Sequence, residues 1–119
     1  MSYIKTGKIK LTAYDRQWSR IVRQRDGYMC QVCGYYDEHY VAAHHIVGRV
    51  NKRLRLEPLN GISLCPTHHT FNSEFSAHRT PKDFKKWFSE KFPDRWKYIN
   101  KVQNEHMSER QAVEEFKKL

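Results

Sequence analysis

The three cysteines and one of the histidines in this chain fall into two pairs of equal spacing. Cys30 and Cys33 form a C-x-x-C pair, and Cys65 and His68 form a C-x-x-H pair further along. Two donors on one short turn can face a single ion, and three thiolates with one imidazole form a closed tetrahedral shell that suits Zn²⁺. The gap between the pairs is too long for a finger of two cysteines and two histidines, and it fits a zinc ribbon or a pinned loop. We therefore expect a structural zinc site, with His69 as the alternative fourth ligand.

Apart from these zinc ligands, we consider four polar residues as candidates for catalytic chemistry: His44, His45, Asn60 and His69. Hydrolysis of a phosphodiester needs an activated water and a positive centre on the phosphoryl oxygens. A histidine, whose ordinary pKa is about 6.5, can act as the base, and further histidines can hold a divalent cation. Taken alone, however, the adjacent His44 and His45 would be one buried and one exposed residue, because neighbouring side chains of a strand point to opposite faces.

The order of these residues along the chain resembles that of the HNH endonucleases. The likeness covers about residues 18–80, and it is specific because the zinc pairs and the histidine–asparagine–histidine spacing interleave in the order of the family. It implies a ββα-metal fold around one divalent cation. The segments that carry the likeness are Arg25–Gly34, His44–Ile46, Leu59–Asn60, Leu64–Cys65 and His68–His69.

The resemblance implies a role for each of the four remaining residues. His45, at the end of the first strand, would be the general base that takes a proton from the attacking water. His44 and His69 would bind the catalytic cation. Asn60 would orient the His45 ring through a hydrogen bond or, as in some branches of the family, bind the cation itself. The implied products are DNA ends with a 5′-phosphate and a 3′-hydroxyl.

The implied cation shell departs from the pattern of many relatives. His44 stands where many of them have Asp, and the double histidine resembles the nuclease domains of colicins. We therefore expect Mn²⁺, Ni²⁺ or Co²⁺ to support activity alongside Mg²⁺ or better than it. His68 stands where relatives often have a fourth zinc-binding cysteine. The helix that follows offers Asn72 as a third cation ligand, with Ser73 and His78 as the alternatives.

The charge of the chain favours DNA as a partner. Lys and Arg number 22 against 13 Asp and Glu, which gives a net charge of +9 and attracts polyanions. Arginine suits bidentate phosphate contacts, so the basic loop before Asn60 is a predicted clamp on the DNA backbone. No segment resembles a sequence-reading element, so we expect weak sequence preference. The loop carries Arg49, Lys52, Arg53 and Arg55, and the positive surface extends to Lys5, Lys8, Lys10, Lys82, Lys85 and Lys86.

Two other functions stay open. A zinc-ribbon DNA-binding module without catalysis would explain the charge and the zinc pairs, but it would leave the remaining histidines and Asn60 without a task. A structural protein could assemble on a larger machine through the helical tail, and the resemblance implies a phage or prophage role beside DNA-packaging machinery. One active centre cuts one strand per encounter, so cleavage of both strands needs a dimer or two visits. We expect a monomer or a homodimer.

Caps, turns and periodicity place the elements that must position these residues. Proline suits the first turn of a helix, and Ser with Gln three residues later suits a capping box. The predicted segments are a helix from Asp15 to Arg25, strands over Tyr40–Val47 and Gly61–Leu64, a helix after Pro66 that carries His68, His69 and Asn72, and tail helices that begin near Pro81, Pro93 and Ser108.

The fold class that follows is α+β: a small zinc-stabilised ββα centre with a flanking N-terminal helix and C-terminal helices. We expect a basic N-terminal arm over residues 1–14, a nuclease core over 15–80 and a helical extension over 81–119 packed on the same domain. There is no apolar run near 18 residues and no secretory leader pattern, so no membrane association is expected. The odd cysteine count fits reduced thiolates, which predicts a cytoplasmic location.

Overall fold

A computed structural model describes residues 11–119 of the chain. It combines helices with one two-stranded sheet, and the predicted α+β class is confirmed. None of the helices in this range has the length and the hydropathy that a membrane span requires. The elements are α1 (Thr12–Arg25), β1 (Ala42–His45), α2 (Lys52–Arg55), a 3₁₀ turn (Pro58–Asn60), β2 (Gly61–Leu64), a π-helical turn (Thr67–Phe71), α3 (Pro81–Lys91), α4 (Pro93–Val102) and α5 (Glu109–Phe116).

The antiparallel sheet of β1 and β2 separates the two adjacent histidines. In its register His45 lies opposite Gly61. Because side chains alternate along a strand, the two rings point to opposite faces. The His44 ring meets Phe84 edge to face, whereas the His45 ring stacks on Trp18. Each histidine is therefore placed by a different part of the molecule.

Helix α1 covers the face of the sheet that carries His45. Its buried residues Trp18 and Val22 form one apolar cluster with Leu56 and with α5. The helix ends at Arg25, as predicted, and Gly27 follows with a φ of +66°. Glycine adopts this left-handed conformation without the steric cost that a Cβ brings, so it suits the position just after a helix.

The opposite face of the sheet packs against α3 and α4. Ile62 and Leu64 of β2 are buried together with Phe84 and Phe88 of α3 and Ile99 of α4. Full burial of a side chain of this size contributes about 1.5–3 kcal/mol to folding. A shared apolar core therefore holds these tail helices on the sheet that presents the histidines.

The tail helices begin where their caps predict. Pro81 and Pro93 occupy the first turns of α3 and α4. Ser108 and Gln111 form a reciprocal capping box at the start of α5. A proline in the first turn of a helix costs no helical hydrogen bond, and a capping box satisfies free backbone N–H groups. Both effects act within a few residues, so the sequence alone predicts where these helices begin.

Several predicted boundaries are wrong. Helix α1 begins at Thr12 and not at Asp15, which lies within its first turn, so the predicted arm over residues 1–14 includes the start of a helix. β1 covers four residues of the longer strand predicted around it. The helix predicted after Pro66 is a five-residue π-helical turn that ends before Asn72. Lys5, Lys8 and Lys10 lie outside the described residues.

Candidate active site

The first metal-binding group, the cysteine cluster, consists of Cys30, Cys33, Cys65 and His68. Its donor atoms all lie within 4.8 Å of one another. The Sγ atoms of Cys33 and Cys65 are 3.8 Å apart, and Nδ1 of His68 is 3.3 Å from Cys65 Sγ. Thiolates at the corners of a tetrahedron with zinc–sulfur bonds of 2.3 Å would be about 3.8 Å apart. The donor set and its spacing thus fit Zn²⁺, and His69, the alternative ligand, is not in the group.

A second group, the histidine triad, consists of His44, His69 and His78. Their ring nitrogens lie within 4.8 Å of one another, and Nε2 of His69 is 3.1 Å from Nε2 of His78. Imidazole suits Zn²⁺, Cu²⁺, Fe²⁺ and Ni²⁺. Three imidazoles leave coordination positions for water and substrate, as a catalytic site requires. The triad can therefore hold a divalent transition-metal ion.

Burial keeps two members of the triad, His44 and His69, uncharged at neutral pH. Burial, together with the neighbouring His69 and His78, lowers the pKa of His44 to about 3. Burial likewise lowers the pKa of His69 to about 4, again with a contribution from His78. A cation binds the neutral form of imidazole, so these two rings are in their ligand form without the loss of a proton.

Backbone hydrogen bonds bring His78 to the triad from outside the π-helical turn. The backbone N–H of His78 donates to the carbonyl of His69 at 3.0 Å. The N–H of Ala77 donates to the carbonyl of His68 at 2.8 Å. This pairing of two separated segments depends on the loop between them, and no local sequence pattern predicts it.

Asn72, the predicted third ligand, closes that loop and is not a member of the triad. Its Oδ1 accepts the backbone N–H of Glu74 at 2.7 Å and that of Phe75 at 3.2 Å. The chain turns back after Asn72 and so returns towards His69. Ser73, the other nearby candidate, is exposed. Of the three alternatives, the structure brings His78 to the other two histidines.

The His45 ring is held between Trp18 and a backbone carbonyl. Nε2 lies 2.9 Å from the carbonyl oxygen of Arg55. Since a carbonyl only accepts, Nε2 carries the hydrogen, and Nδ1 has the free lone pair of the neutral ring. The indole of Trp18 stacks on the imidazole at 3.7 Å between centroids and 7° between planes. Burial lowers the pKa of His45, opposed by the Arg55 carbonyl and the Asp15 carboxylate.

Asn60 does not orient His45 directly, contrary to the expectation from the sequence. It is fully buried, and its Oδ1 accepts the backbone N–H of Val47 at 2.9 Å. Its Nδ2 donates to the carbonyls of Val47 at 2.9 Å and of Leu54 at 3.1 Å. Asn60 thus ties together the loop that ends at Arg55, whose carbonyl is the partner of the His45 ring.

A cavity of about 700 Å³ joins His45 to the histidine triad. One wall belongs to α1, which sequence reasoning treated as a flanking helix. Its contribution is a tertiary contact between segments far apart in the chain, and no motif marks it. Besides the four histidines, the cavity is lined by Asp15, Arg16, Trp18, Ser19, Ala43, Gly48 and Arg49.

Arg49 is the residue of the predicted phosphate clamp that lines this cavity. Its side chain is 59% exposed and lies 3.2 Å from the carboxylate of Asp15. Arg55 binds the same carboxylate at 2.7 Å and is 17% exposed, so it links α2 to α1. Because Arg49 is exposed, it can leave the Asp15 carboxylate and bind a phosphate. Arg55 is mostly buried, and its ion pair with Asp15 stabilises the fold.

Lys52 and Arg53 lie elsewhere. Both line a separate cavity of about 550 Å³ beside α5. The guanidinium of Arg53 bonds the carboxylate of Glu105 and the hydroxyl of Tyr98, each at 3.0 Å. These two residues therefore do not line the cavity of His45, because α2 turns them towards the tail, and their predicted contact with DNA stays a prediction.

Residues 30–73 match a family described as HNH endonuclease. The resemblance drawn from the sequence is confirmed, and the match indicates an endonuclease, which is a hydrolase. The matched segment includes the cysteine cluster and two members of the triad, but it excludes α1 and His78. Comparison with curated proteins and with solved structures gave no match.

Proposed function

Because the chain carries an HNH endonuclease domain at residues 30–73, we propose that it hydrolyses phosphodiester bonds of DNA with a divalent cation held by the histidine triad. His45 is the general base of this reaction. Zn²⁺ at the cysteine cluster stabilises the fold and takes no part in the chemistry, since its four protein ligands leave no open position.

The observation that carries the proposal is the shared cavity. His45 lines it together with all three triad residues, yet its ring nitrogens are not part of the triad, and Nε2 is bonded to a carbonyl. A histidine beside a cation site but outside its shell is free to accept a proton. That division of labour is what metal-assisted hydrolysis requires.

In the proposed reaction, His45 accepts one proton. Nδ1 accepts it from the attacking water, and the resulting imidazolium is stabilised by the Arg55 carbonyl and by the Asp15 carboxylate. When bound, the cation supplies positive charge to the scissile phosphate and to the leaving 3′ oxygen. The products are then a 5′-phosphate and a 3′-hydroxyl. An all-histidine triad favours Mn²⁺, Ni²⁺ or Co²⁺ over Mg²⁺.

The substrate approaches a basic surface. The net charge of +9 favours association with the DNA backbone, and Arg49 and Arg16 line the cavity where the scissile phosphate would enter. One cavity of this kind acts on one strand, so we propose nicking as the elementary event. Processing of phage or prophage DNA, beside the packaging machinery, is the biological setting that we propose.

Cleavage of a supercoiled plasmid tests the proposal. Wild-type protein with Mn²⁺ is expected to nick the plasmid, and EDTA to abolish nicking. His45→Ala should lower the rate about 100-fold or more, the usual contribution of a general base. His106→Ala, which removes an exposed histidine outside the active-site cavity, should leave the rate unchanged. DNA ligase should reseal the nicks if the ends carry a 5′-phosphate and a 3′-hydroxyl.

Equal nicking by the wild type and by His45→Ala would contradict the assignment of the base. DNA binding without cleavage under any of the four cations would favour the remaining candidate, a zinc-stabilised DNA-binding module. That alternative leaves the pairing of His45 with the triad in one cavity without a purpose.

A further inference from the structure

The contact between Trp18 and His45 is the closest ring stack among the described residues. The two rings are nearly parallel, and their centroids are 3.7 Å apart. Trp18 is 2% exposed, and its Nε1 donates to the carbonyl of Glu57 at 2.8 Å. The indole is thus fixed at its polar edge while its face lies on the imidazole. This position is more specific than filling an apolar core requires.

The strand opposite His45 makes room for the indole. Gly61 is the cross-strand partner of His45. A Cβ at Gly61 would lie 2.6 Å from Cζ2 of Trp18 and 2.5 Å from Cγ2 of Val22. No real side chain fits at such distances, so the slot for the indole exists because this position is glycine.

The same helix also fixes the carbonyl that receives the His45 hydrogen. Asp15, one turn before Trp18 in α1, holds the guanidinium of Arg55 through two hydrogen bonds of 3.1 and 2.7 Å. The carbonyl of Arg55 in turn lies 2.9 Å from Nε2 of His45. Helix α1 therefore determines both the plane of the imidazole and the partner at its edge.

We propose that Trp18 is a positioning residue for the general base. It holds the His45 imidazole in the plane in which Nε2 meets the Arg55 carbonyl and Nδ1 is left for the attacking water. The inference rests on the proposed function. It adds α1, which lies outside the matched segment 30–73, to the catalytic apparatus of this chain.

Variants at Trp18 test the inference. Trp18→Leu keeps an apolar side chain but loses the flat face, so kcat for nicking should fall about 10- to 100-fold with little change in KM or in the Mn²⁺ requirement. Trp18→Phe keeps a flat face and should retain most of the activity. Both rates are normalised to the folded fraction, measured by circular dichroism under the assay conditions.

Val22→Ala is the matched control, because Val22 is a fully buried residue one turn further along α1 in the same apolar cluster. It should lower stability but leave the normalised kcat unchanged. If Val22→Ala lost as much kcat as Trp18→Leu, Trp18 would contribute only through packing of the core and would not be a positioning residue. Normal kcat in Trp18→Leu would overturn the inference outright.

A second readout does not depend on cleavage. Nitrogen NMR of ¹⁵N-histidine-labelled protein with diamagnetic Mg²⁺ at pH 8 reports the tautomer of each neutral ring. Wild-type and Val22→Ala proteins should show His45 with its hydrogen on Nε2, whereas Trp18→Leu should show a mixture of tautomers. If the wild type did not cut DNA, the proposed function would fail, and this measurement would still judge the positioning role. Identical spectra in all variants would refute it.

Discussion

His44 and His45 are neighbours in sequence but have different surroundings, because strand geometry turns their rings to opposite faces. His44 enters the triad and is packed against Phe84, and burial keeps it neutral. His45 lies on Trp18 with one nitrogen committed to a carbonyl. A ligand and a base can therefore sit side by side at one strand end without competing for the same ion.

His78 is expected to contribute to cation binding as much as the other members of the triad. His78→Ala should raise the half-saturating Mn²⁺ concentration for nicking at least about tenfold, since even indirect partners of a metal contribute 10- to 100-fold to affinity. The measurement is a titration of nicking rate against Mn²⁺. Ser73→Ala, at an exposed position that the sequence left as an alternative, is the control. A normal requirement in His78→Ala would remove it from the shell.

Residue types and spacing predicted the cysteine cluster well, because each of its pairs is closed within one turn. They gave His78 only as an alternative ligand, because it reaches His69 through backbone bonds across a loop closed by Asn72. Nor could they predict Trp18, whose periodicity indicates only a buried helix face. Contacts of this kind depend on tertiary packing, which a single sequence does not display.

At the scale of elements, the segment between β1 and β2 is held by polar side chains at both ends. Asn51 caps α2 by accepting the N–H of Leu54, and its Nδ2 reaches the carbonyl of Gln103 at 2.7 Å. Asn60 binds Val47 and Leu54 from within the core. These hydrogen bonds therefore restrain the backbone of the segment that carries the Arg55 carbonyl.

Asn60→Ala should destabilise the protein by about 2–3 kcal/mol, because it removes three hydrogen bonds of a fully buried side chain and takes away the partner of both the N–H and the carbonyl of Val47. Equilibrium unfolding in urea measures the change. Asn100→Ala is the matched control: that asparagine donates to the carbonyl of Trp96 at 2.9 Å but is exposed, so its loss should cost much less. Equal effects would mean that burial of the Asn60 bonds is unimportant.

Elements with local signals were predictable and the others were not. Proline, the capping box and Gly27 mark the ends of helices through backbone chemistry that acts within a few residues. The π-helical turn begins directly after Pro66, as that proline indicates, but no such signal marks its end, which comes where the Asn72 side chain closes the next turn. The strand around His44 was predicted too long because apolar composition does not show where the pairing with β2 stops.

At the scale of the whole molecule, the arginines differ in whether their side chains can reach a bound DNA. Arg49 faces the active-site cavity, whereas Arg53 is engaged by Glu105 and Tyr98 beside α5. Composition predicts affinity for a polyanion but cannot say which arginines are free to supply it. The fold decides that by pairing some of them internally.

Arg49→Ala should weaken DNA binding and lower the slope of log Kd against log salt by about one, as expected when one phosphate contact is lost. Arg53→Ala should leave the slope unchanged and lower the unfolding free energy by about 1 kcal/mol. Anisotropy of a labelled duplex, measured in the His45→Ala background so that the DNA stays intact, separates the two. If Arg53→Ala lowered the salt slope and Arg49→Ala did not, the DNA would instead bind on the surface beside α5.

His68 and His69 are consecutive residues of the π-helical turn, yet one belongs to the cysteine cluster and the other to the triad. A single peptide unit therefore connects the two groups of ligand residues, and the segment carrying Ala77 and His78 is hydrogen-bonded to both of these residues. Filling either site restrains the backbone that the other one needs. The two occupancies should then be thermodynamically linked and, because such linkage is reciprocal, each ion should raise the affinity for the other by the same factor.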